Sequence, residues 1–140
     1  MKMFQKTIEI SSKKRGFYLI TDEVIKQFEE LRDFEVGMCQ IFIQHTSASL
    51  TINENADPTV RQDFEAHFNK MVPENAPYYK HTYEGADDMP AHIKASLLGP
   101  SVQIPVRNGQ FAFGTWQGVY LCEHRNYGGP RKLVISCWGQ

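Results

Sequence analysis

Residues 101–138 read SVQIPVRNGQFAFGTWQGVYLCEHRNYGGPRKLVISCW, and this stretch decides the fold class. "SVQIPV" and "QFAF" are strand-like runs that flank Arg107-Asn108-Gly109, a turn signal, so they read as a β-hairpin. "WQGVYLCEH" and "KLVISCW" flank a Gly-rich connection and read as a second hairpin. Upstream, "MCQIFIQH" and "SLTINE" are rich in β-branched and apolar residues, and the small polar pair Thr46-Ser47 between them predicts a bend or bulge. At the amino terminus "FQKTIEI" alternates like a half-buried strand, and "GFYLI" is expected to return beside it after the polar "SSKKR" turn.

Helical signals separate these strands. Thr21 is a plausible N-cap for a helix to about Phe34, with Ile20 and Ile25 as a hydrophobic staple and Val24, Ile25, Phe28 and Leu31 at helical spacing. Asp57 can cap a second helix with Pro58 at its first position, and Val60, Phe64, Phe68 and Met71 form its apolar stripe until Pro73 stops it. A long aromatic loop, "PENAPYYKHTYEGAD", follows. Asp88 can cap a third helix containing Pro90 and, in its first turn, His92, with Gly99-Pro100 as the stop. Helices packed on antiparallel sheets define an α+β fold, expected as a single domain over residues 1–140.

Composition agrees. The 140 residues are 41% hydrophobic and 22% charged, as in an ordinary globular domain. A chain of this size buries about 68% of its unfolded surface, so a metal would serve function rather than folding. Fifteen basic residues nearly balance sixteen acidic ones and the longest basic run is Lys13-Lys14-Arg15, which argues against nucleic acid as a partner. No apolar run reaches membrane-spanning length and the amino terminus builds no secretory core, so a soluble cytoplasmic protein is expected. Cys39, Cys122 and Cys137 lack C-x-x-C spacing and read as buried thiols in a reducing compartment.

Histidines carry the chemical signal. His45 ends a strand beside Thr46 and Ser47, whose hydroxyls and amides could bind an anion; the alternative is a hydrogen-bonded core histidine. His92 lies near a helix start, where the macrodipole favours the neutral ring that metals require. His81 sits in the aromatic loop and either reaches the same metal or stacks on Tyr79 or Tyr83. His67, four residues after Asp63, reads as structural. Glu54, Asp63, Asp87 and Asp88 are the available carboxylates, with Asp88 read as a cap and Glu54 as a base or ligand within reach of His45 on a bent chain. Trp116, Gln117, Glu123 and Arg131 suit a pocket that stacks a ring and holds a phosphate, while "GGPR" lacks Walker spacing, so phosphate binding by Gly128, Gly129 and Arg131 stays open. Ser47 and Ser49 near His45 lack a nucleophile-elbow context.

"QHTSASLTINENADPTVRQDF", "YEGADDMPAHIKASLLG", "GTWQG" and "EHRNYGGPR" together resemble the YjbQ family, also called uncharacterised protein family 0047, over nearly the whole chain. The resemblance implies a compact α+β domain with an antiparallel β-sandwich and packed helices, assembled as a homotrimer. It also implies secondary thiamine-phosphate synthase activity, coupling hydroxymethylpyrimidine diphosphate with thiazole phosphate. Carried onto this chain, it implies a divalent metal, zinc or magnesium, on His45, His81 and His92, with His45 and Glu54 in catalysis. Thr46, Ser47, Trp116, Gln117, Glu123, Gly129 and Arg131 are the implied contacts to a phosphorylated small molecule. His124 is less secure, because other branches replace "HRNY". A metal-dependent hydrolase and a non-catalytic trimeric metabolite- or metal-binding protein are the alternative functions.

Overall fold

The computed structural model describes residues 1–140. Its strands are β1 (Lys2–Ile10), β2 (Gly16–Leu19), β3 (Val36–Ile43), β4 (Ala48–Glu54), β5 (Ser101–Arg107), β6 (Gln110–Phe111), β7 (Gln117–Glu123) and β8 (Arg131–Gly139). Its helices are α1 (Thr21–Lys26), α2 (Pro58–Met71) and α3 (Asp88–Leu98), with a 3-10 turn over Glu29–Asp33. The strands form two antiparallel sheets, ordered β1-β8-β3-β5-β6 and β2-β7-β4. Their facing surfaces meet in one core that joins Ile8, Ile41 and Leu133 of the larger sheet to Leu50, Val119 and Leu121 of the smaller. The α+β architecture expected from the sequence is therefore present.

Strand partners differ from the sequence reading. Only the β5–β6 hairpin forms as expected: Arg107 pairs with Gln110 across Asn108-Gly109, whose φ angles of 53° and 73° suit a tight hairpin turn. The expected β1–β2 and β7–β8 hairpins do not exist. β1 pairs with β8, β2 pairs with β7, and each linker carries the chain from one sheet to the other. Both strands of each expected hairpin feed the same core from opposite layers, so apolar alternation along the chain cannot reveal which layer a strand joins. The Thr46-Ser47 bend is a third such crossing, between β3 and β4.

The helices follow local signals unevenly. Asp57 caps α2 as expected, its Oδ1 accepting from Thr59 N at 2.9 Å with Pro58 in the first turn. Phe64 and Phe68 of α2 pack on Phe17 of β2 with ring centroids 5.4 and 5.7 Å away, but Met71 is half exposed. The helix predicted from Thr21 to Phe34 breaks at Gln27 and resumes as the 3-10 turn. Thr21 does not cap it; its Oγ1 accepts from Val119 N instead. Ile25 faces solvent, so Ile20 and Ile25 form no staple, while Val24, Phe28 and Leu31 reach the core as expected.

α2 lies against β2 and α3 against β4, so helices cover the outer face of the smaller sheet. The outer face of the larger sheet is open. Register places Met3, Trp138, Met38 and Pro105 in one row across it, then Gln5, Ser136, Gln40 and Gln103, then Thr7, Val134, Phe42 and Ser101. None of these side chains carries a charge.

Candidate metal centre

α3 begins one residue before its expected first turn, and this changes the role of Asp88. Asp87 occupies the N-cap position without a side-chain cap bond, and Asp88 is the first helical residue, buried. Position five of the helix is His92, one turn after Asp88, so both side chains project from one face. The aromatic loop returns His81 to the same place. His81 Nε2 lies 2.7 Å and His92 Nε2 3.2 Å from Asp88 Oδ2, and ligand atoms from all three residues lie within 4.8 Å of one another.

Hydrogen-bond accounting at His92 bears on what belongs there. Its Nδ1 lies 3.0 Å from the Thr46 carbonyl, which can only accept, so Nδ1 carries the proton. In the neutral ring Nε2 then presents a lone pair to the Asp88 carboxylate, an arrangement that a cation between them relieves. A ring nitrogen anchored on a backbone carbonyl, with the other free, is the usual orientation of a metal-bound histidine.

Arg125 fixes the carboxylates behind this face. Its Nη1 donates to Asp88 Oδ1 at 2.7 Å, Nε to Asp87 Oδ2 at 3.0 Å and Nη2 to the Glu84 carbonyl at 3.0 Å. Asp88 thus gives one oxygen to Arg125 and turns the other toward both imidazoles. Burial by itself raises the Asp87 carboxyl, but hydrogen bonds from Asn126 N and Arg125 outweigh it and bring its pKa below the ordinary value.

His45 stands outside this grouping. Its Nε2 accepts from Lys132 N at 2.9 Å, which fixes the proton on Nδ1. Burial, then the positive charges of Arg131 and Lys132, hold its pKa below the ordinary value. His45 and His92 nevertheless line one cavity of about 380 Å3, together with Thr46, Ala48, Ser96 and Pro100. Ser47 and Arg131 lie behind it: Arg131 Nε and Nη2 donate to the two Glu123 oxygens at 2.7 and 2.5 Å, and Nη2 also reaches Ser47 Oγ at 3.1 Å. This ion pair is almost fully buried. Gly128 arches over it, where a Cβ would meet Arg131 Nη2 and stand 2.8 Å from both Glu123 oxygens, while Gly129 turns away at φ 75°.

Glu54, Trp116 and Gln117 lie elsewhere. Ala48 pairs with Glu123 and Glu54 with Gln117, so the length of β4, about 20 Å, separates them from the histidines. Glu54 Oε2 accepts from Asp57 N at 3.3 Å, Gln117 Oε1 accepts from Gly114 N at 2.8 Å, and Trp116 is exposed. His67 is exposed, its ring edge-on to Phe68, and it forms no ion pair with Asp63. Sequence reasoning did not single out two features. One is Arg125. The other is the pairing of Ser49 Oγ with His124 Nε2 at 2.8 Å in the core, where burial, then the charges of Lys94 and Arg131, push the His124 pKa down to about 3. Ser49 is the strand partner of Cys122, two residues before His124, a proximity visible only once register is known.

A two-layer antiparallel α+β protein with a two-histidine, one-carboxylate cluster at the start of a helix is the class that fold and site define. The family model described as UPF0047 protein YjbQ-like matches residues 6–140, and the chain belongs to that family. It is 56% identical to the UPF0047 protein YjbQ of Salmonella typhimurium over 137 residues, covering 98% of this chain and 99% of that one. The UPF0047 protein YugU of Bacillus subtilis is 36% identical over 126 residues, 90% of this chain and 91% of that one. Among solved structures, an uncharacterised member from Clostridium acetobutylicum superposes with a TM-score of 0.83 at 37% identity, covering 95% of this chain and 99% of that one. A YbjQ-like protein of unknown function from Sulfolobus solfataricus gives 0.86 at 26% identity, covering 99% of both.

Proposed function

We propose that the protein is a metal-assisted enzyme acting on a phosphorylated small molecule, with the ion held by His81, Asp88 and His92. The observation that carries this reading is the convergence of three ligand atoms with His92 Nδ1 already committed to the Thr46 carbonyl. Two imidazoles and one carboxylate suit a zinc-like transition ion better than magnesium, which prefers oxygen ligands and bound water. Such an ion polarises a phosphoryl oxygen or activates water, so hydrolysis fits the donor set directly. His45 is then a wall of the adjoining cavity and not a ligand within the same chain. Arg131 and Lys132, which hold its pKa down, supply the positive field that a phosphate would meet there.

Coupling of hydroxymethylpyrimidine diphosphate with thiazole phosphate is the second reading; it calls on the same positive field but forms thiamine phosphate and releases diphosphate. Zinc and magnesium content is measured for purified wild type beside His81→Ala, Asp88→Asn, His92→Ala and His45→Ala. Activity is assayed on phosphate monoesters and on the pyrimidine–thiazole pair. Loss of zinc in the first three with retention in His45→Ala is expected. Equal occupancy in all would remove the site, and phosphate release without thiamine phosphate would select hydrolysis. Tight metal binding without turnover of either substrate set would favour the non-catalytic binding alternative.

We also propose a homotrimer, supported by the three uncharged central rows on the outer face of the larger sheet, flanked by Glu9, Lys132 and Arg107, which a second copy would cover. Sedimentation velocity on wild type and Phe42→Asp tests it. The three buried free thiols agree with a reducing cytoplasm, and no helix is long and apolar enough to cross a membrane.

A further inference from the structure

A cleft at the opposite end of β5 from α3 takes no part in the site described above. It lies between the α1 to 3-10 segment and the β5–β6 hairpin, with a volume of about 720 Å3. Phe28, Leu31, Phe111 and Phe113 give it apolar walls, and Lys26, Arg32 and a single carboxylate, Glu29, also line it. The Phe111 and Phe113 rings are 5.5 Å apart and tilted by 52°, and Phe28 is anchored from behind by stacking on Phe4 at 5.8 Å.

The walls are fixed in advance. Asn108 N donates to the Glu35 carbonyl at 2.7 Å and Gly109 N to the Phe34 carbonyl at 2.8 Å, which ties the hairpin turn to the end of the 3-10 turn. Gly109, at φ 73°, lies so close to Arg32 that a Cβ would stand 3.1 Å from the Arg32 carbonyl oxygen. Little ordering cost therefore remains for a ligand that enters.

The polar groups around the cleft are unspent. Every ion pair in the molecule involves other residues, so neither Lys26 nor Arg32 has a carboxylate partner. Asn108 and Gln110 also line the cleft, and their side-chain amides make no bond to the protein. Aromatic walls take the face of a ring, while free guanidinium and ammonium groups at the rim take an anionic substituent.

We propose that this cleft is a second ligand site, for an aromatic anion: a planar ring bearing a carboxylate or a phosphate group. The ring lies against Phe111 and Phe113, the anion faces Arg32 and Lys26, and the free amides of Asn108 and Gln110 bond heteroatoms at the ring edge.

The test is amide-resolved NMR on the full-length wild type, titrated with benzoate, with phenylphosphonate, which cannot be hydrolysed, and with benzyl alcohol as the neutral control. Saturable shifts of the Gln110 and Phe111 amides with benzoate or phenylphosphonate are expected, and the tighter of the two identifies the anionic group. Binding should weaken about tenfold in the Lys26→Gln/Arg32→Gln double variant, whose side chains hold no structural bond. It should be unchanged in His81→Ala, which separates this site from the metal centre. An equal response to benzyl alcohol, no saturable shift, or shifts confined to Thr46 and His92 would overturn the proposal. So would cleft signals that move on dilution of the protein alone, which would give this face to a second copy.

Discussion

Replacing Arg131 by Met isolates the cost of stranding a buried carboxylate. Glu123 is fully buried and Arg131 nearly so, and two short charge-assisted hydrogen bonds join them. Without the guanidinium, Glu123 keeps only the Arg125 amide, which donates to Oε2 at 3.1 Å. Removing one partner of such a pair costs about 3–5 kcal/mol, a large part of the roughly 5–15 kcal/mol that a small domain commands. At about 3 °C per kcal/mol for a chain of this length, Arg131→Met should lower Tm by about 10–15 °C. Glu123→Leu combined with Arg131→Met should recover most of that loss, because it removes both charges and fills the space with apolar atoms. Urea unfolding of wild type, Arg131→Met, Glu123→Leu and the double variant yields the coupling energy, expected at about 3 kcal/mol. A single-variant loss below about 1 kcal/mol, or a double variant as unstable as the sum of the singles, would refute this account.

His124 is held neutral in the folded protein with a pKa of about 3 against 6.5 for the free side chain, so the unfolded chain binds the extra proton between these values. Stability should therefore decline as pH falls from about 6.5 toward 3, by at most about 1.4 kcal/mol per pH unit, and His124→Asn should flatten the slope of urea midpoint against pH between 7 and 5. Arg125→Gln should weaken zinc binding about 10- to 100-fold while leaving His81 and His92 in place, as measured by competition with a chromogenic chelator. Affinity within threefold of wild type would show that Asp88 needs no orientation from Arg125. Gly37→Ala should cost about 3 kcal/mol or more in urea unfolding, because a Cβ there would stand 2.3 Å from the Trp138 carbonyl oxygen, whereas at Gly114 it would meet only a Gln117 side chain at 3.4 Å, so Gly114→Ala should be near neutral.

Where the deciding interactions are local, the sequence is a sufficient guide. Asp57 and Pro58 start α2 within three residues, and Asn108-Gly109 closes β5 on β6 with no help from elsewhere. Strand partnership is different, since "GFYLI" and "WQGVYLCEH" meet only through tertiary register and nothing within either run specifies the other. The site divides the same way. His81 and His92 are recognisable as ligand types, but Asp88 satisfies every local criterion for a helix cap, and only the start of α3 one residue earlier frees it to face them. The i, i+4 spacing of Asp88 and His92 on a helix was the one signal that could have joined them. His45 and Glu54 are close in sequence, yet β4 is straight between Ala48 and Glu54 and holds them apart.

The pairing of Lys2 with Gly139 also sets an order of events during synthesis. β1 emerges from the ribosome first and β8 last, and β8 separates β1 from β3 in the larger sheet. Until residues 131–139 are made, β1 has no neighbour and β3 lacks one, leaving two unpaired edges on a nascent chain. Closure of that sheet is thus a late, long-range step, slow by topology and open to association with other chains. A nascent-chain series stalled before and after Arg131–Gly139 should show protease resistance appearing only once that final strand is free to enter.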